Sequence, residues 1–404
     1  MTTRISRALL AFLAILGLVT SISLTQVAQA VPSYPTAAEV AAAKKKVSTK
    51  KAMIKRIEAI IADLETKADA AERTAQIKGE AYSIAKDAFD QKAAQVATLQ
   101  SQADAAEAQA NQAMQQLGQI AGQMYRSGTA GTSLNLFLNS SEASDLLYQL
   151  GAQDKIAQSS NTIYLRSIQK QKYAQSLANE LSAAKIELEA RKQVAETAFE
   201  SAQTAANTAQ ALVNDNVSLN RTFYAQLASL QNTSAELERQ RAEGLAAERR
   251  QAAGRAKMDA PELYTVGEAN AAKVNVALEF MRAQLGEKYV LGGIGPNIWD
   301  CSGLMKAGYA AAGIYIGTHS ATNQFRTMAQ QRKLIPLNQM QVGDLLWYSE
   351  ESAFDGDKYH VVIYIGGGLM LEAPNPARTV RIVPIRWGEM FPYAGRPSAQ
   401  YALN

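Results

Sequence analysis

The chain has 404 residues, with 41 Lys and Arg against 37 Asp and Glu, two histidines and one cysteine. A formal net charge of +4 spread over that length leaves no case for a nucleic-acid footprint, and a single cysteine excludes a scaffold built on disulfides. One thiol and two histidines without close ligand spacing argue against a metal site, and no residue pattern calls for a cofactor.

In chain order, Arg4 and Arg7 precede an apolar run from Ala8 to about Leu24, and Ala28-Gln29-Ala30 supplies the small-x-small pattern of a signal-peptidase site. Residues 1–30 are therefore expected to be a signal peptide, with a mature, secreted chain from Val31; the alternative is an uncleaved membrane anchor. No later segment is apolar enough to span a bilayer. In an exported protein a lone Cys301 has no intramolecular partner, which leaves a buried inert thiol or a nucleophile kept free for chemistry.

Residues 31–253 are rich in Ala, Gln, Glu, Lys and Ser and poor in Pro and Gly, the composition of long helices. With Ile54 as position a, the a series runs through Ile61, Ala68, Ala75, Tyr82, Phe89, Val96, Ala103, Ala110, Leu117 and Met124. The d series includes Ile57, Leu64, Ala71, Ala85, Leu99, Ala106, Ala113 and Ile120. About ninety residues of such helix reach on the order of 135 Å at 1.5 Å per residue. Ser127 to Thr132 breaks the pattern, and a return arm follows through Leu177, Leu181, Ala184, Leu188, Ala195, Ala198, Ala202, Ala205, Ala209, Leu212, Leu219, Phe223 and Leu230. The spacing predicts a long antiparallel coiled-coil hairpin. Its apolar tip, with Leu134, Phe137 and Leu138, is a natural docking point for a partner, because exposed apolar side chains at the end of a polar rod need cover. Residues 254–261 read as a linker, and 262–404 as one compact domain.

Three places in that domain carry chemistry. Cys301 heads an apolar helix expected over Cys301 to Ala312, where helix N–H groups favour a thiolate and are able to hold an oxyanion. His360 opens a strand that turns at Gly366-Gly367-Gly368 and returns as Leu369 to Ala373. A register with Val362 opposite Glu372 puts His360 and Glu372 on one sheet face, so that the carboxylate orients the imidazole; a one-residue slip separates them. His319 reads as a loop or groove-lining residue.

Tyr289-Val290-Leu291-Gly292-Gly293, Asp300-Cys301-Ser302-Gly303-Leu304, Gly343-Asp344-Leu345-Leu346 and His360-Val361-Val362-Ile363-Tyr364-Ile365-Gly366 resemble the successive motifs of the NlpC/P60 cell-wall cysteine peptidases. The resemblance spans about Glu262 to Asn404. It implies an α+β, papain-like domain behind the coiled coil, and cleavage of peptidoglycan stem peptides after D-isoglutamate. By the same resemblance Cys301 is the nucleophile, His360 the base and Glu372 the third member, at a position more often histidine. Tyr289 points its hydroxyl into the site, and Asp300, Ser302 and Ser320 help bind the stem peptide. The motif around Ser320 usually begins with Pro-Arg and reads Gly317-Thr318-His319-Ser320 here, so the arginine contact has no counterpart. The front half is similar to coiled coils fused to division-associated wall hydrolases, which dock on a membrane complex and relieve self-inhibition. That implies a coil, or the segment from Gly254 to Tyr264, lying over Cys301 until a partner shifts it. Two other readings compete with the endopeptidase: a non-catalytic wall-binding adaptor, and a Cys-His amidase or acyltransferase acting on another substrate.

Overall fold

The computed structural model describes residues 35–126, 143–255 and 257–399. The expected signal sequence and the tip residues Leu134, Phe137 and Leu138 lie outside the described residues. The chain divides into two units, 1–57 and 58–404. In the first, helix α1 (Ala37–Ala43) opens on a capping box: Glu39 N–H donates to Thr36 Oγ1 at 3.2 Å, and Thr36 N–H donates to the Glu39 carboxylate at 2.7 Å. Helix α2 (Val47–Arg126) begins here and continues into the second unit.

In the second unit α2 lies antiparallel to α3 (Ala143–Gln231). Ser167 Oγ donates to the Ala113 carbonyl at 3.2 Å, Lys185 Nζ to Gln100 at 2.8 Å, and the Tyr82 and Phe199 rings meet edge to face at 5.3 Å. On α2 the expected register holds: Ile61, Ala68, Ala75, Val96, Leu99, Ala103, Ala106, Ala110 and Ala113 are all buried. On α3 the seam steps aside by one residue. Ala206 and Val213 are buried where Ala205 and Leu212 were expected, while Ala202 and Ala209 keep their places. A straight helix turns every 3.6 residues and drifts against a strict heptad, and four-residue steps absorb the drift.

Helix α2 also buries a second stripe that no heptad accounts for. Gly79, Glu80 and Ser83 are buried and Gln76 is half-buried, the i, i+3, i+4, i+7 spacing of one further helix face. That face lies on the C-terminal part of the chain. Gln76 Nε2 donates to the Pro374 carbonyl at 2.8 Å, Arg378 pairs with Glu72 at 2.8 Å, and Arg73 pairs with Glu389 at 2.6 Å. A Cβ on Gly79 would sit 3.3 Å from Leu291 Cδ1 and 3.6 Å from Tyr289 Oη, so the missing side chain sets how closely the helix approaches. After α3 the chain turns at Asn232, in the left-handed region at φ 58°, into α4 (Ala235–Arg255), whose Gly254 lies against the Trp387 ring.

The C-terminal part sets helices against a six-stranded antiparallel sheet. Its helices are α5 (Ala271–Ala283), α6 (Cys301–Ala311) and α7 (Ala321–Gln330). A short parallel pair, β1 (Lys288–Tyr289) and β2 (Ile298–Trp299), precedes α6. The large sheet has the order β3-β8-β4-β5-β6-β7, from β3 (Leu334–Pro336), β4 (Leu345–Tyr348), β5 (His360–Gly366), β6 (Leu369–Glu372), β7 (Arg381–Pro384) and β8 (Met390–Gly395). Alternation sorts the strands. Leu345, Trp347, Val361, Ile363 and Leu371 join one cluster with Leu304, Met305, Tyr309 and Phe325 of the helices, while Leu346, Tyr348, Val362 and Met370 join a second. Ile77 of α2 packs against that second cluster. Gly308 lets α6 approach α5, because a Cβ there would fall 2.3 Å from Met281 Cε. Asp344, in the third motif, is structural: it accepts from the Gln341 N–H at 2.6 Å and pairs with buried Arg396 at 3.1 Å.

Candidate active site

Cys301 is the first residue of α6, as its place at the head of an apolar run predicts, and Asp300 is the N-cap. The Asp300 carboxylate accepts from Gly303 N–H at 2.7 Å and from Gly292 N–H at 3.0 Å, tying the helix start to the loop after β1. Ser302 Oγ donates to the same carboxylate at 3.2 Å, and His319 Nε2 lies 2.8 Å from it. Burial pushes the His319 imidazole down, but the Asp300 partner outweighs it and the net direction is up. His319, expected as a loop or groove-lining residue, is thus a direct partner of the Asp300 carboxylate.

The expectation of a lowered thiol pKa fails in this conformation. Cys301 is buried, and burial, with the carboxylates of Asp300 and Glu80 near it, pushes the thiol well above its ordinary value. Bonds from the Val361 and Ser302 backbone pull the other way and do not prevail. Tyr289 is buried and its hydroxyl is raised, first by burial and then by the nearby charges of Cys301, Asp300 and Glu80. The hydroxyl thus lies within electrostatic reach of the thiol, the N-cap and Glu80.

The hairpin carries the predicted register, with Ile363 opposite Leu371 and Tyr364 opposite Met370. His360 Nε2 and Glu372 Oε2 lie 2.8 Å apart with both side chains fully buried. Glu372 also accepts from Arg386 and Arg381. Burial alone would raise the Glu372 carboxyl, but Arg386 and His360 outweigh it and hold it well below the usual carboxylate range. His360 is lowered, chiefly by burial, against the pull of Glu372. An ionised Glu372 accepts only, so Nε2 carries the imidazole proton, an assignment from the hydrogen-bond network. That leaves the lone pair on Nδ1, which is buried and has no hydrogen-bond partner among the described residues. The Val361 N–H that reaches the thiol belongs to the residue after His360, which sets Cys301 beside the start of β5.

Ser320 caps α7 by accepting from Asn323 N–H at 3.1 Å, and its own hydroxyl donates to Glu80 at 2.5 Å. Ala321 N–H and Thr322 N–H complete the cradle at 3.0 and 2.9 Å. A helix N-terminus is suited to an anion, and the one it holds comes from α2. Burial pushes the Glu80 carboxyl up to about 7, against the hydrogen bonds from Ser320, Thr322 and Ala321. Asp87 of α2 accepts from Asn323 Nδ2 at 2.9 Å beside it. Sequence reasoning did not find Glu80, Arg381 or Arg386. Glu80 sits in a helix with many acidic residues, and only its position off the heptad seam and next to Gly79 sets it apart.

Residues 286–392 match the model of the NlpC/P60 family, and the domain they belong to is an NlpC/P60 domain. Among curated proteins, peptidoglycan endopeptidase RipA of Mycobacterium tuberculosis is 36% identical over 104 residues, 26% of this chain and 20% of that protein. The gamma-D-glutamyl-L-lysine dipeptidyl-peptidase of Bacillus subtilis is 35% identical over 101 residues, 25% of this chain and 32% of that protein. A solved structure of a hypothetical invasion protein of Mycobacterium tuberculosis is 28% identical, covering 34% of this chain and 71% of that one at a TM-score of 0.28. The chain spans a third or less of the length of these two curated relatives.

Proposed function

We propose that this protein is a cysteine endopeptidase of peptidoglycan stem peptides, cutting the D-γ-glutamyl bond to the diamino acid. The observation that carries the reading is the buried pair of His360 and Glu372 in the same fold as a thiol at a helix N-terminus, inside a domain of this family. The names of the two relatives, an endopeptidase and a γ-D-glutamyl dipeptidyl-peptidase, support the substrate class. In this reading Cys301 passes its proton to His360 Nδ1 as the sulfur attacks the scissile carbonyl. The tetrahedral oxyanion falls against backbone N–H groups at the head of α6, the imidazolium protonates the departing amine, and water then hydrolyses the thioester. Glu372 orients the imidazole, Tyr289 borders the sulfur, and Asp300, Ser302 and Ser320 shape the substrate side.

The same proposal includes a secreted, wall-associated protein whose coil restrains it, in keeping with the signal pattern of residues 1–30 and a role in daughter-cell separation. Of the two segments considered as covers, residues 72–87 of α2 are favoured, because Glu80 fills the Ser320 cradle and its charge reaches Cys301 and Tyr289. A membrane-bound partner taking hold of the rod near its tip would withdraw that face.

The test is mass spectrometry of products from a defined muropeptide with the full mature chain, with Cys301→Ala and with Glu80→Lys, which sets a cation against the α7 N-terminus. Cleavage after D-isoglutamate by Glu80→Lys above the wild-type rate, and none by Cys301→Ala, supports both parts. A different product mass moves the reading to an amidase or transferase, and no product from any variant moves it to a wall-binding adaptor.

A further inference from the structure

A buried carboxylate beside an imidazole sits in one of two ways: protonated and donating to the ring, or ionised and accepting from it. Here two arginines decide. Arg386 grips Glu372 with both ends of its fork, Nη1 to Oε1 and Nη2 to Oε2, each at 2.8 Å, and Arg381 Nε donates to Oε1 at 3.0 Å. With His360 Nε2 on Oε2, N–H groups occupy both oxygens from three directions. Arg386 is itself fixed next to the ring it serves. Its guanidinium lies 5.1 Å over the Tyr348 ring, its backbone N–H donates to Tyr348 Oη at 3.3 Å, and the Tyr348 ring lies 5.7 Å from the imidazole.

We infer that Arg386, with Arg381 beside it, is a positioning residue of the reaction: it locks Glu372 as an acceptor and thereby holds His360 in the Nε2–H tautomer, with Nδ1 left as the base. The inference rests on the catalytic role proposed for Cys301 and His360. It adds a consequence in charge. One carboxylate with two guanidinium groups leaves a net positive surround, which opposes protonation of the ring and keeps the base available as pH falls. The groups facing His360 are Glu372 on β6, Arg381 on β7, Arg386 after β7 and the Tyr348 ring on β4. Asp69 on α2 lies near enough to Arg386 for their charges to act on each other. A purely structural arginine would hold the loop after β7 in place and leave the ring's proton affinity alone.

The measurement is an imidazole NMR titration of the full chain with histidine-selective labelling, which gives two rings to follow; His319→Gln assigns them. Arg386→Gln is expected to raise the His360 midpoint by about one pH unit, tenfold in proton affinity. Arg386→Lys keeps the charge and loses the fork, so the midpoint stays near wild type while the Nε2–H population falls. A midpoint and tautomer unchanged in Arg386→Gln would overturn the inference. Should that variant not fold, Arg381→Gln decides instead: a smaller upward shift is expected, and none counts against it. No substrate enters the titration, so failure to cleave a stem peptide would sink the proposed function while leaving this result standing.

Discussion

The rod and the C-terminal part of the second unit bury their surfaces by different rules. Between α2 and α3 the buried positions are mostly alanine, with Val96, Leu99, Leu177 and Leu181 among them, so each contact removes little area and the charged groups stay outside. In the C-terminal part Asp300, Ser302, Ser320, Asp344, His360, Glu372 and Arg396 are all buried, and all are hydrogen-bonded. Among the described residues of the helical region, two buried carboxylates break the first rule. Glu238 bonds to Thr233 five residues away, a local device at the start of α4, whereas Glu80 bonds across 240 residues to Ser320. A buried charge in a rod is costly for the rod alone, so it marks the face by which the rod is held.

The comparison breaks most readily at the thiol. Cys301→Ala is expected to abolish cleavage, and His360→Ala to lower it by about 10²–10⁴-fold, the usual span for a proton-transfer group. Glu372→Ala should lower the rate less than His360→Ala, because orientation is the smaller effect; equal losses in single-turnover assays would contradict the ranking. The same change leaves Arg381 and Arg386 without their anion. It should therefore cost about 2 kcal/mol of stability in denaturant unfolding, less than a fully buried pair because both arginines reach solvent.

Glu80 sharpens the comparison from the rod's side. Glu80→Lys in the full chain should speed alkylation of Cys301 by about tenfold, since a cation against a helix N-terminus undoes an anion-filled cradle. An unchanged alkylation rate would mean the cradle does not govern access. A pH dependence follows with a definite sign. Glu80 rises from an ordinary 4.5 to about 7 in its cradle, so the docked rod binds the proton more tightly than the undocked one. Docking is then firmest below about pH 4.5 and weakens as pH rises through about 7. The ratio of wild-type to Glu80→Gln alkylation rates, which cancels the thiol's own titration, should climb between pH 5 and 8. At the small end, Lys86→Ala removes an exposed ion pair with Asp90, on the same helix, and should change stability by less than about 0.5 kcal/mol.

Much of this was legible from one-dimensional patterns. The heptads located the seam of α2, the apolar run from Cys301 located the head of α6, and the glycine run at 366 to 368 located the turn of the hairpin whose register pairs Ile363 with Leu371. Each of these rests on neighbours close in the chain, where helix and strand periods translate residue type directly into direction.

What the amino-acid order determined by itself, then, was the two long helical arms, the place of the thiol at a helix head and the imidazole–carboxylate hairpin. Tertiary structure alone decided that Glu80 reaches Ser320, that Arg381 and Arg386 converge on Glu372, that His319 answers Asp300, and that the thiol is raised rather than lowered. Those outcomes depend on charges brought together from distant segments and on the water they displace, and neither separation in space nor burial is written in any local pattern of residues.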